Sequence, residues 1–399
     1  MATGFWQACT AISAIIFSAA ALATDNQLQN NGFWNNLEIG GRIVGDADQF
    51  DGIYICRYPS CPIEPIGSLR QDGASDTQKE TELRRAQVYF KFPIGEDWSS
   101  KLQLALNQDD DNYIFKDAYL RYKGWDFADI RIGQSKQPFG LENITSSLNS
   151  SLIERSLAAS AFALGRSPGI NMADSKRTYS WSLGVYEVKQ NRQIKTDGGK
   201  AYTARATFSP LSEDDQFHHY GISFSDRDLQ GAKYEIESNG GVNSAFNFLD
   251  TRNIEVDSLE QTGIEAAWGR GRLAFQSEYQ HQQINALDSA DNARYQAYYG
   301  QMCYFLTPDH RPYKKGRFAS VKPSSSKGAI ELAIRYGALS TVGDSEPVRL
   351  TSTAYGVNYY LNKRVKLMLN RIKIDSTGVA KDQQQESGSA TSLRVQFRF

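Results

Sequence analysis

Apolar and polar residues alternate one by one through most of this 399-residue chain. The end of the sequence, A-T-S-L-R-V-Q-F-R-F, shows the pattern plainly. Side chains on an extended strand point to opposite faces in turn, so Leu393, Val395, Phe397 and Phe399 share one face. Ser392, Arg394, Gln396 and Arg398 share the other. The same period sets Leu37, Ile39, Gly41 and Ile43 against Glu38, Gly40 and Arg42. It sets Ala86, Val88, Phe90 and Phe92 against Arg85, Gln87, Tyr89 and Lys91, and Leu102, Leu104 and Leu106 against Lys101, Gln103 and Asn107. It returns around 181–185, 202–208, 273–275, 330–334, 355–361 and 365–369, and no helical period is of comparable strength. Segments of roughly nine to eleven residues suit tilted strands that cross a bilayer.

The connections sharpen this expectation. Those at 123–126, 269–271 and 362–363 are very short, whereas 46–82, 134–166, 228–258 and 375–389 are long and polar. Short turns at one end and long loops at the other are the asymmetry of an outer-membrane barrel. The fold predicted is therefore all-β: one transmembrane antiparallel β-barrel over 36–399, with about sixteen strands. Region 307–326 is long where a short turn is expected, and 230–257 has room for an extra hairpin within a loop.

Composition changes the picture at the amino terminus. Hydrophobic residues make up 40% of the chain and mean hydropathy is -0.50, while the longest apolar run, 8–23, ends at Thr24-Asp25-Asn26. Ala21 and Ala23 stand where a signal peptidase prefers small residues, so 1–23 reads as a secretory signal, although no positive charge precedes the run. A membrane anchor is the alternative, and the run is short for one. Residues 24–35 would then form a periplasmic segment. In an oxidising compartment Cys56 and Cys61, in C-R-Y-P-S-C, either close a small disulfide loop or stay as thiols, and they make a poor zinc site. Cys9 leaves with the signal, and Cys303 reads as a small packed side chain. Formal net charge is -1, so charge overall does not announce a nucleic-acid partner. The 21 Tyr and 20 Phe gather near strand ends, as rings at the headgroup level would.

If the apolar face meets lipid, the intervening face meets a water-filled lumen. That face would carry Arg42, Arg85, Lys91, Lys101, Arg121, Lys123, Arg131, Arg205, Arg335, Lys366, Arg394 and Arg398. Its acids, Glu38, Asp117, Asp129, Glu265, Glu278 and Glu331, are fewer. Excess Arg and Lys in a pore favour anions, and a guanidinium fork suits phosphate oxygens. A mixed, unselective lining is the alternative. Region 134–166 holds few lipid-facing residues and a stretch from 150 to 164 that could be a short helix. Folded inward it would narrow the channel, with Lys136, Glu154, Arg155 and Arg166 at the constriction; otherwise it is an exterior loop. His218-His219 lacks a third metal ligand. Asp109, Asp110 and Asp111 either bind a divalent cation that bridges lipopolysaccharide phosphates or lie in a solvated loop. No spacing supports a Ser-His-Asp hydrolase, so no enzyme activity, metal or cofactor is expected.

Several motifs occur in order along the chain: G-G-R-I-V-G-D at 40–46, L-R-R-A at 83–86, K-D-A-Y-L at 116–120 and I-G-Q-S-K-Q-P-F-G-L-E from Ile132. G-R-S-P-G, Y-Y-G-Q-M-C-Y-F-L-T and N-Y-Y-L-N follow. The sequence thereby resembles the phosphate-selective porin O and P family of bacterial outer-membrane porins. The resemblance implies an integral outer-membrane protein, a homotrimer of sixteen-stranded barrels, in which arginines guide phosphate or polyphosphate by passive diffusion to an inward loop. By those motifs the anion-binding roles fall on Arg42, Arg84, Arg85 and Asp117. Alternation adds Arg121, Arg131 and Arg205, and the loop adds Lys136, Arg155 and Arg166. In a regular strand, however, Arg84 would face lipid. The terminal aromatic strand also resembles the signal by which barrels reach the barrel-assembly machinery, and the surroundings implied are lipid and lipopolysaccharide. A weakly selective porin and a plugged structural or adhesive barrel are the rival readings.

Overall fold

A computed structural model of the chain describes residues 36–52, 77–106, 113–191, 193–195, 198–245, 249–250, 254–342, 349–377 and 387–399. The expected signal, the 24–35 segment, Cys56, Cys61 and the 109–111 acidic run lie outside the described residues. Among the described residues, sixteen strands close into one antiparallel barrel. They are β1 (Glu38–Gly52), β2 (Thr77–Ile94), β3 (Trp98–Leu106), β4 (Tyr113–Tyr122), β5 (Asp129–Lys136), β6 (Arg166–Ser175), β7 (Tyr179–Glu187) and β8 (Lys200–Phe208). The ring continues with β9 (Gln216–Tyr234), β10 (Ile254–Arg270), β11 (Leu273–Ala286), β12 (Ala293–Phe305), β13 (Ala329–Thr341), β14 (Arg349–Tyr360), β15 (Val365–Thr377) and β16 (Ser387–Arg398). β16 pairs with β1, so no sheet edge remains to be satisfied in lipid.

The barrel is apolar outside and polar inside. On β16, Leu393 and Val395 are 48% and 46% exposed, whereas Arg394 between them is 0% exposed. In a soluble sheet that order would be reversed. The outward faces predicted for β7, β8, β13 and β14 are likewise exposed, at Leu183, Tyr202, Ile334 and Tyr355 among others. At the rim with short turns, the rings of Trp98, Tyr122, Trp125 and Phe127 form a chain with centroid separations of 4.9, 5.7 and 5.3 Å, a segment of an interfacial girdle.

Strand lengths depart from the expected nine to eleven residues. β5 has 8 and β9 has 19, the latter extending into the side with long connections. The extra hairpin anticipated in 230–257 is present as the pairing of Glu237–Ser238 with Leu249–Asp250.

Three connections turn inward. The β5–β6 connection, 137–165, lies inside the ring of strands. Five of its carbonyls accept from surrounding side chains, four on the wall and one, Arg311, on the 306–328 connection: Asn149 from Arg311 at 2.8 Å, Ser150 from Lys366 at 2.6 Å, Ser151 from Asn358 at 2.7 Å, Ile153 from Arg394 at 2.5 Å and Glu154 from Arg335 at 3.0 Å. These acceptors explain why the helix expected over 150–164 shrinks to Leu157–Ala161, capped by Ser156. An extended strip held by four charged donors, each worth about 1.5–3 kcal/mol, and by the Asn358 amide outweighs two more helical turns.

The long connection 306–328, anomalous in sequence, enters from the opposite rim. Tyr313 stacks on Phe217 with centroids 4.8 Å apart, and Ser320 Oγ donates to Asn149 Oδ1 at 3.0 Å. The third connection, beyond β9, reaches across to β1 and β2: Ser244 donates to Asp48 at 2.6 Å, and the Asn243 amide donates to Glu82 at 2.9 Å. An apolar cluster that includes Leu157, Phe162, Tyr186, Leu229, Tyr234 and Val242 fills the lumen behind the first and third connections.

Candidate functional site

Two β-bulges build the wall that faces the inward loop. Between β1 and β2 the register moves from Val44↔Arg85 to Asp46↔Glu82, so β2 carries one extra residue opposite Gly45. Between β3 and β4 it moves from Leu102↔Ala118 to Leu104↔Phe115, so β4 carries one extra residue as well. An extra residue reverses the phase of alternation and turns two consecutive side chains to one face. Arg84 and Arg85 therefore both enter the lumen, which corrects the lipid-facing position that simple alternation gives Arg84. Lys116 and Asp117 enter in the same way. Lys116 escapes a strict two-residue reading for this reason; the signal that could have found it is a pair of adjacent charged residues inside an alternating strand.

The cations of this wall converge on the loop. Arg42 donates from Nη1 to Ser147 Oγ at 2.9 Å and from Nε to Gln87 at 2.7 Å, while Arg85 Nη1 donates to the same Ser147 hydroxyl at 2.5 Å. Arg42 lies within electrostatic reach of Arg84, Arg155, Arg166 and Arg394, and Lys116 within reach of Arg42, Arg84, Arg85 and Arg166. Lys136 Nζ and Arg155 Nη2 both donate to the Asn143 carbonyl. Asp117 is held between Lys101 at 2.5 Å and Arg166 at 2.7 Å. Glu154 sits between Arg84 at 3.1 Å and Arg394 at 2.6 Å, and Arg394 also grips Asp46 at 2.5 Å. Among the described residues Arg42, Arg85, Lys116, Lys136 and Arg155 have no carboxylate at ion-pair distance, and all five are partly accessible. Burial opposes the charge on Glu154, but the guanidinium groups of Arg84, Arg394 and Arg85 more than offset it and hold its carboxyl well below the usual range. Burial pulls the Arg155 guanidinium below its ordinary value, against Glu142 and Glu154.

The opposite wall is charged but sealed. Glu278 accepts the backbone N–H groups of Leu141 and Glu142 at 3.0 and 2.7 Å, and Glu142 pairs with Arg335 at 3.0 Å. Glu331 accepts from Ser151 at 2.8 Å, from the Asn358 amide at 2.9 Å and from Tyr360 at 2.7 Å, with Arg311 at 3.4 Å. All of these carboxylates are buried. The loop is thus gripped from both walls, its far-wall carboxylate partners buried while Arg42, Arg85, Lys116, Lys136 and Arg155 stay partly accessible.

The phosphate-selective porin O and P family matches residues 68–399, most of the chain. The chain belongs to that family. Porin O of Pseudomonas aeruginosa is 26% identical, over 91% of this chain and 88% of its own length. Among solved structures, an anion-selective porin from Comamonas acidovorans superposes with a TM-score of 0.57 at 11% identity, over 91% of this chain and 99% of that one. The outer-membrane channel DcaP of Acinetobacter baumannii superposes with a TM-score of 0.56 at 13% identity, over 91% and 97%. At those identities the structures establish the porin barrel alone. Family and fold together make the chain an integral outer-membrane porin.

The porin's remaining candidates lie elsewhere. Arg121 pairs with Asp129, and Arg131 packs over the Tyr119 ring at 5.7 Å. Both act on Arg317 of the inward 306–328 segment, whose guanidinium is pulled below its ordinary value by burial first and by Arg131 next. They form a second basic group nearer the rim with short turns. Arg205 belongs to neither group. It is 7% exposed, binds both Glu265 oxygens through Nε and Nη2 at 2.7 and 2.8 Å, and donates to the Gly316 carbonyl at 2.9 Å. It therefore tethers the 306–328 segment. His219, one of the histidine pair, serves the same tether through Tyr313 at 2.5 Å and Glu265 at 3.3 Å. Among the described residues no group of three or more His, Cys, Asp or Glu side chains is placed to hold a metal. Lys123, expected in the lumen, lies beyond the end of β4 in an exposed turn, because the strand stops at Tyr122.

Proposed function

We propose that the porin passes small anions by passive diffusion, with phosphate or polyphosphate as the preferred class, along the wall formed by β1–β6. One observation carries the reading: the far-wall carboxylates Glu278 and Glu331 are buried, while Arg42, Arg85, Lys116, Lys136 and Arg155 stay partly accessible with no carboxylate at ion-pair distance among the described residues, so the accessible charge beside the loop is mainly basic. Arg42, Arg84, Arg85, Lys136, Arg155 and Arg166, with Asp117 orienting Arg166, would bind the anion where the β5–β6 loop narrows the path. Arg121 and Arg131 would receive it next. Arginine forks lower the desolvation cost of an oxyanion, while the loop limits its size. The family description and the names of Porin O and of the anion-selective relative support the same class.

A homotrimer is part of the proposal; a distant structural relative, OmpT of Vibrio cholerae, is known in a trimer form. So are assembly through the terminal aromatic strand and contact with lipopolysaccharide. The inward 306–328 segment favours one rival, a plugged barrel without conductance. Purified protein in a planar bilayer under a potassium chloride gradient separates the readings. An anion-selective zero-current potential with current blocked by phosphate is expected. A cation-selective or unselective current removes the anion assignment, and absence of current supports the plug.

A further inference from the structure

Glu154 is the one carboxylate that the β5–β6 loop presents to the basic wall at the level of Arg84 and Arg85. Its two oxygens face the Arg84 fork edge to edge, Nε to Oε1 at 3.1 Å and Nη2 to Oε2 at 3.3 Å. Arg394 Nη2 adds a third donor to Oε1 at 2.6 Å. This is the donor arrangement that two oxygens of a phosphate would require. The backbone beneath Glu154 has holds that do not need its side chain: Arg335 on the Glu154 carbonyl, and Arg394, itself fixed by Asp46, on the Ile153 carbonyl. The side chain is 15% exposed, so it borders the accessible lumen and can turn away without freeing the loop.

We infer that the Glu154 carboxylate is a built-in competitor that occupies the Arg84 fork until a permeating oxyanion displaces it. Resting on the anion path proposed above, the inference assigns Glu154 a part in specificity. A monovalent halide offers no fork-shaped partner and leaves Glu154 seated, whereas phosphate exchanges with it and recruits Arg84 to Arg42 and Arg85. The competition lowers phosphate affinity and so speeds release.

The test is phosphate block of chloride current through the full-length porin in planar bilayers. In E154Q the phosphate concentration that halves the current is expected to fall about tenfold, the effect of freeing one charge-assisted pair. E154D keeps the charge but draws it back from the fork by one methylene, so a smaller shift in the same direction is expected. In an R84M background, the Glu154 substitution should change the block by less than about twofold, because the contested group is gone. Unchanged or weaker block in E154Q and E154D, with wild-type protein still anion-selective and phosphate-blocked, overturns the inference and leaves the anion path standing. Wild-type protein that phosphate does not block overturns both.

Discussion

Gly41 and Phe399 close the barrel through a reciprocal pair: Gly41 N–H donates to the Phe399 carbonyl at 3.1 Å, and Phe399 N–H donates back at 3.2 Å. The terminal ring lies across the glycine, where a Cβ would come within 2.4 Å of its Cζ and 2.5 Å of the Gln87 carbonyl. A sequence ending on a bare phenylalanine thus finds its seat in the G-G-R motif at the other end of the sheet. G41L should therefore fail to close the β1–β16 seam. The expected result is loss of most of the heat-modifiable folded band on electrophoresis after refolding. G45A, where a Cβ meets only the Glu82 carbonyl at 3.8 Å, should refold as wild type and serve as the control.

Arg42 and Arg85 share Ser147 and have no carboxylate at ion-pair distance among the described residues, which on the proposed path leaves each for the anion. Removing one charged donor from an oxyanion costs about 1.5–3 kcal/mol. R42Q and R85Q should each weaken phosphate block by about tenfold or more and move the zero-current potential toward that of an unselective channel. R205Q should not act this way. Its partner Glu265 and the Gly316 carbonyl are sealed from solvent, so the expected loss is in folding yield, with little change in the selectivity of the molecules that fold.

The contrast between Arg85 and Arg205 shows how far the chain could be read. Alternation put both in the lumen, correctly, because a two-residue period needs only local geometry. It could not tell an accessible arginine from a paired one, since Glu265 lies 60 residues away in sequence and reaches Arg205 only across the intervening strand β9, past Gly221. Arg84 and Lys116 marked the other limit. A bulge reverses phase, and a reading that counts in twos carries the error forward until an adjacent charged pair is recognised for what it is. The inward course of 137–165 was legible from its poverty in lipid-facing residues. That of 306–328 showed only as a length with no explanation, because its anchors, His219, Arg205 and Asn149, are scattered over distant segments.

Glu154 also sets the acid response. Its carboxyl titrates well below the ordinary carboxylate range, so the stabilisation of the loop by Arg84 and Arg394 is fully present above that range and is lost only as pH falls toward the depressed value. Chloride conductance should accordingly hold steady from neutrality to about pH 4, where an unperturbed glutamate would already be protonating. A change at lower pH, absent in E154Q, is the expected signature. A wild-type transition centred near pH 4 or above would show that the arginines do not hold the charge.

Arg227 makes the last prediction, from a stability argument. It is 3% exposed on β9, opposite Leu259 and Ala201, and its Nε and Nη2 have no hydrogen-bond partner among the described residues. An unpaired buried charge is among the most expensive groups a fold can carry, and exchange for an apolar side chain of similar volume is then favourable. R227M should raise the temperature at which the folded band is lost, corresponding to a gain of about 1–4 kcal/mol. Because Arg227 packs behind the loop among Leu229 and Tyr234, away from the accessible wall, phosphate block should stay as in wild type. A fall in stability would mean instead that the guanidinium is satisfied in the membrane by a bound anion. Re-measuring wild type and R227M at several phosphate concentrations would then show stability rising with phosphate in the wild type alone.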